Sequence, residues 1–126
     1  MRRVLWRSLW IACFLPAAVV AEVELSKRQV MDLFTDKTVY YRDVPHSLNL
    51  VAYFDPIGEV RGLRGGKSYR QHWSVDEKGR HCTQDADEKR SCHRVFRRAD
   101  GTYVKYRKGS PLVQYNSFEE GNPNNL

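Results

Sequence analysis

The sequence predicts a mainly β domain: one short N-terminal helix, then an antiparallel meander that curls into a small barrel or folds as a sandwich. Three observations lead there. Only one segment, Ser26 to Phe34, has helix spacing. From Thr38 onward, β-forming residues come in short alternating runs, and turn signals separate those runs at close intervals. Consecutive strands joined by short turns bury one face best by curling, with the lone helix covering an open end or edge.

Ser26 stands three residues before Gln29, the capping-box spacing. Val30, Met31, Leu33 and Phe34 follow as an apolar stripe, so the helix is expected over Lys27 to Phe34. After Thr35-Asp36 the residue types change, and Thr38-Val39-Tyr40-Tyr41 opens the first strand. Leu48, Leu50, Ala52 and Phe54 then alternate with Asn49, Val51 and Tyr53, which makes one face of the next strand wholly apolar. Asp55-Pro56-Ile57-Gly58 has the proline and glycine positions of a type I turn, and Glu59 to Arg64 returns as its partner strand. Gly65-Gly66 reverses the chain again, and Tyr69, Gln71, Trp73 and Val75 share a face. Beyond the turn Asp76-Glu77-Lys78-Gly79, Arg80 to Thr83 and Ser91 to Arg98 read as strand ends around a polar loop, Gln84 to Arg90. Ala99-Asp100-Gly101 leads to a last clear strand, Thr102 to Arg107, for about six or seven strands in all. From Ser117 the chain has almost nothing to bury, so residues 117–126 are expected to form a disordered tail behind a single domain over 22–116.

The first 21 residues read differently. Arg2, Arg3 and Arg7 precede or interrupt an otherwise apolar or small run from Val4 to Ala21, with Val19 and Ala21 placed as a signal peptidase requires. A membrane anchor is the alternative, but spanning a bilayer takes about 20 mostly apolar residues, and this run reaches that length only by including Arg7 and Pro16. Cys13 lacks the preceding residues of a lipoprotein site. The expectation is a cleaved secretory signal and a periplasmic or secreted mature chain with no transmembrane segment. Cleavage removes three of the charges behind the formal +6 and leaves two cysteines, Cys82 and Cys92. In an oxidising compartment these are expected to pair, with two free thiols as the alternative.

The helix, Asp36-Lys37-Thr38-Val39-Tyr40, the turn-rich meander, Trp73-Ser74-Val75, Gly79 and Cys82 together resemble the small exported bacterial proteins grouped as domain of unknown function 995. The resemblance covers about Ser26 to Tyr106. It departs from that pattern at Asp36, where a glycine would be more typical. It implies an envelope location and a lipocalin-like β fold with no established activity, and it carries over Trp73, Cys82 and Cys92 as structural residues.

Several motifs fail on spacing. Gly65-Gly66-Lys67-Ser68 imitates a phosphate loop, but Arg61 stands where that motif needs its first glycine, and a strand pattern follows where a helix is required. His81-Cys82 and Cys92-His93 offer four zinc-type ligands, yet adjacent strand residues point to opposite faces, so the reading is a disulfide flanked by surface histidines and no metal. Asp85, Asp87 and Glu88 lack a calcium-loop signature and sit beside Lys89 and Arg90. No serine or cysteine stands in a recognisable nucleophile elbow, and His46 and His72 read as surface or loop residues. No enzyme activity and no cofactor are therefore expected.

The strongest functional signal is charge. Lys89 to Lys108 holds eight Lys and Arg against the single acid Asp100, which leaves the rest of the mature chain net acidic. With Phe96, Tyr103 and Tyr106 interleaved, Arg94, Arg97, Arg98, Lys105 and Arg107 form a candidate anion-binding hairpin. In that compartment the partners would be an anionic envelope lipid, lipopolysaccharide or an acidic protein, and not nucleic acid. The expected function is a small non-catalytic binding module that docks an anionic partner on this hairpin or takes an apolar ligand inside the barrel. The alternative is an inhibitor or accessory protein of another secreted enzyme, acting through Gln84 to Arg90.

Overall fold

The computed structural model describes residues 22–87 and 89–126. The expected signal segment and Glu88 of the acidic loop lie outside the described residues. The elements run β1 (Val23–Glu24), α1 (Lys27–Phe34), β2 (Lys37–Asp43), β3 (Leu48–Phe54), β4 (Glu59–Arg64), β5 (Lys67–Val75), β6 (His81–Gln84), β7 (Arg90–His93), β8 (Val95–Arg97), β9 (Tyr103–Arg107) and β10 (Ser110–Glu120). The strands form one antiparallel sheet in the order β1-β8-β9-β10-β2-β3-β4-β5-β6-β7, curled into a half-barrel.

The helix forms where its caps place it. Ser26 Oγ accepts from the Gln29 amide at 3.2 Å while Gln29 Oε1 accepts from the Ser26 amide at 2.8 Å, which satisfies two of the orphan donors of the first turn. Val30 and Phe34 are fully buried beneath it. Asp36 takes a left-handed φ of 55° as the chain leaves the helix, a conformation that favours glycine. It is held there by its amide donating to Phe54 O and its carboxylate accepting from the Tyr53 hydroxyl.

The turn at Asp55 closes as its sequence demands: the Gly58 amide donates to Asp55 O at 3.0 Å, and Gly58 has φ 98°. Trp73 lies in the core, with its indole N–H donating to Asp55 O at 2.9 Å. The core gathers Leu25, Val30, Phe34, Val39, Ala52, Phe54, Val60, Trp73, Val95 and Tyr115 at the helix-covered end of the half-barrel. Cys82 and Cys92 stand opposite each other in the β6–β7 ladder and are joined as a disulfide, with their Cα atoms 4.0 Å apart. Among the described residues no helix is long and apolar enough to cross a membrane.

Three features differ from the sequence reading. The described residues hold ten strands in place of six or seven, because the two-residue β1, too short to show alternation, pairs with β8, and β10 follows the strand expected to be last. Ser91 to Arg98 is not one strand: the run pairs with β6 as far as His93 and with β9 from Val95, and Arg94 alone separates the two ladders. The supposed disordered tail from Ser117 is in part a strand. β10 continues to Glu120, pairing residue by residue with β2 after a bulge near Asn116. Phe118 packs on the core. Beyond it, Gly121 O accepts from Thr38 Oγ1 and Leu126 O accepts from Arg61 Nε. Polar composition concealed this because a bulged strand loses the period-two alternation that marks a strand in sequence.

Candidate functional site

The end of the half-barrel opposite the helix is hollow. A cavity of about 350 Å³ is lined by Tyr41, Leu50, Tyr69, Gln71, His81, Thr83, Lys105 and Tyr115 among others, with Asp43, His46, Arg64 and Leu112 nearer the strand ends at its rim. Gly62 makes room for part of this wall. A Cβ there would stand 2.5 Å from Val51 O and 2.7 Å from the Tyr69 ring, so only glycine lets Tyr69 fold across β4. Tyr69 then shares a short hydroxyl–hydroxyl hydrogen bond with Tyr41. Burial raises both phenols above their ordinary range, so both remain neutral at physiological pH.

At the inner end of the cavity lies a pair that the sequence reading placed on the surface. His81 is fully buried, with its ring stacked on Phe34 at 4.0 Å and lying near-parallel to Trp73. Lys105 is 4% exposed and places Nζ 2.5 Å from His81 Nδ1. The phase of the two ladders explains both corrections. His81 pairs with Val75, which shares the inward face of Trp73, and Lys105 pairs with Val95 and Val113 on core-facing positions. His81 is therefore not a surface histidine flanking the disulfide, and Lys105 is not part of an outer anion-binding face.

The electrostatics follow from burial. Desolvation alone pushes Lys105 down to about 7, and among the described residues no carboxylate lies within ion-pair distance of it. Desolvation, and then the Lys105 charge, drive His81 well below the usual imidazole range, so it is neutral. When Lys105 is charged its Nζ only donates, so His81 Nδ1 accepts and the imidazole proton sits on Nε2. That atom is buried with no hydrogen-bond partner among the described residues.

The other residues of the predicted basic hairpin do not assemble into one surface. Arg94 donates to Glu24 at 2.6 Å, and Arg98 lies 3.4 Å from Glu22; β1, paired along β8, supplies Glu24 and carries Glu22 immediately before it. Arg97 and Arg107 are exposed. His46 is exposed beside Asp43, and His72 is exposed on β5. Ser91 Oγ does lie 3.3 Å from His93 Nδ1 at the cavity edge. However, the groups acting on His93 are burial and the cations Lys105, Arg107 and Arg80, which lower its basicity, and among the described residues no carboxylate orients it. The pair therefore lacks the third member of a nucleophile–base–orienter set. A shallower groove lies outside, over Glu59, Arg70, His72 and Gln84. Among the described residues it holds no buried ionisable pair.

Fold and cavity together define a class: a disulfide-stapled β half-barrel with one closed end, one open end and an ionisable pair at the base of the opening. Compared with known protein families, curated proteins and solved structures, the chain has no match.

Proposed function

We propose that this protein is an exported, non-catalytic binding module whose half-barrel interior takes a small amphipathic molecule. One observation carries the reading: Tyr, Leu and Val side chains of a half-open cavity converge on Gln71, His81, Thr83 and Lys105, the combination of apolar wall and oriented polar groups that small-molecule sites share. At about 30 Å³ per water-sized atom, the cavity accommodates a ligand of about a dozen non-hydrogen atoms. The disulfide and the signal-like residues 1–21 support an oxidising, extracytoplasmic setting, in keeping with the resemblance to small exported envelope proteins. Neutralisation of Arg94 and Arg98 by β1 moves the expected contact with a partner from the outer hairpin to the interior.

Calorimetric titration with 1-decanol tests this. Saturable one-to-one binding is expected for the wild type. It should be lost in Val113→Trp, which fills the cavity while keeping the far-ultraviolet circular dichroism of the folded chain. Absence of binding to the wild type by every ten-carbon chain, neutral or charged, or equal decanol binding by both proteins, would remove the interior as the working site.

A further inference from the structure

The ionisable side chains lining the cavity are not equally satisfied. At the rim, Arg64 lies 2.9 Å from Asp43, and His46 lies 3.0 Å from the same carboxylate. The rim is thus electrically closed on itself. Inside, Lys105 has no such partner among the described residues. An ammonium carries three N–H donors. One reaches His81 Nδ1, and the ring of Tyr115, with its centroid 5.8 Å from Nζ, offers a π face to the charge. The remaining hydrogen-bonding capacity has no protein acceptor among the described residues, and the side chain lines the cavity. A buried cation without a counter-ion destabilises the fold, and a ligand bringing the missing negative charge would offset that.

We infer that the molecule bound in the half-barrel is an organic monoanion, such as a medium-chain carboxylate, whose acid group seats on Lys105 beside His81 while its apolar part lies against Leu50, Leu112 and Val113. This deepens the binding reading above and rests on it. His81 holds the ammonium in place through Nδ1 and, being neutral, adds no charge of its own. A charge-assisted hydrogen bond is about twice as strong as a neutral one, so the acid group should dominate selectivity among ligands of equal length.

Decanoate, 1-decanol and decyltrimethylammonium share a chain and differ in head group. Their affinities for the wild-type chain, measured by calorimetry at pH 6, should place decanoate at least tenfold ahead of decanol, with the cation weakest. Lys105→Met should retain decanol binding and bring the decanoate-to-decanol ratio close to one, whereas Arg97→Gln, at an exposed cation outside the cavity lining, should leave the ratio near its wild-type value. A wild-type ratio near one overturns the inference while leaving the binding reading intact, and it decides the matter without any variant. A preference that survives Lys105→Met, or vanishes in Arg97→Gln, would move the anion away from Lys105 and also overturn it. Failure of all three ligands to bind the wild type would remove the binding reading itself.

Discussion

Arg98 and Lys105 belong to the same stretch of basic residues, and the fold treats them in opposite ways. Arg98 stays on the outside of the sheet and meets Glu22, brought alongside by β1. Lys105 turns inward, loses nearly all contact with solvent and finds a neutral imidazole in place of a carboxylate. The outer pair forms in high dielectric, where such contacts contribute little. The inner charge lies where desolvation dominates, so it shapes both stability and pH response. A dense run of cations in sequence therefore says little about function until the two faces are separated.

This contrast can be tested from the inside outward. Phe34→Ala removes the ring that closes the base of the cavity against His81, Phe54 and Tyr115, and should cost about 4 kcal/mol in chemical denaturation. Lys105→Met should act in the opposite direction. A fall from 10.5 to about 7 corresponds to on the order of 5 kcal/mol withheld from the folded state at low pH. Leaving His81 Nδ1 without a donor returns about 2 kcal/mol of that. A net gain of about 3 kcal/mol is thus expected at pH 6.

The pH dependence has a definite sign. Between about pH 7 and 10.5 the unfolded chain binds a proton at Lys105 that the folded chain does not. Wild-type stability should therefore rise with pH across that window, and the penalty should be fully present below it. Urea midpoints measured from pH 6 to pH 10 should climb for wild type and lack this component in Lys105→Met. Parallel curves for the two proteins would mean that Lys105 is solvated.

At the sheet edge, Cys82→Ser combined with Cys92→Ser should lower stability by about 3 kcal/mol, because the bond closes a short loop. Smallest of all, Arg94→Ala and Arg98→Ala should each cost less than about 1 kcal/mol and show little effect in high salt. A larger loss from either would make the outer hairpin more than a solvated face.

Much of the local structure was legible without coordinates. The capping box at Ser26 and Gln29 places the helix at Lys27–Phe34, the alternation from Leu48 to Phe54 bounds β3, and the Asp55 turn sets up β4. Each rests on interactions between residues close in the chain. The site was less legible. Lys105 stands in a strand whose two alternating sets both contain aromatic residues, Tyr103 on one side and Tyr106 on the other, so periodicity could not choose the inward face. Alternation puts His81 and Cys82 on opposite faces but does not say which face is inward, so the disulfide at Cys82 makes a surface position the natural reading for His81. One signal was available in principle: Val75 belongs to the Trp73 face, and a tight turn after it would bring His81 back in phase.

Sequence pattern alone predicts the class of fold, the helix and its cap, the bounds of β3 and β4, and the two cysteines able to meet across a hairpin. These follow from period, turn chemistry and short loop closure, all of which act within a few residues. Only the tertiary structure decided that β10 closes against β2, that β1 brings Glu22 and Glu24 to the basic hairpin, and that Lys105 and His81 face each other inside the half-barrel. Those outcomes depend on register between strands far apart in the chain, where a shift of one residue exchanges inside for outside.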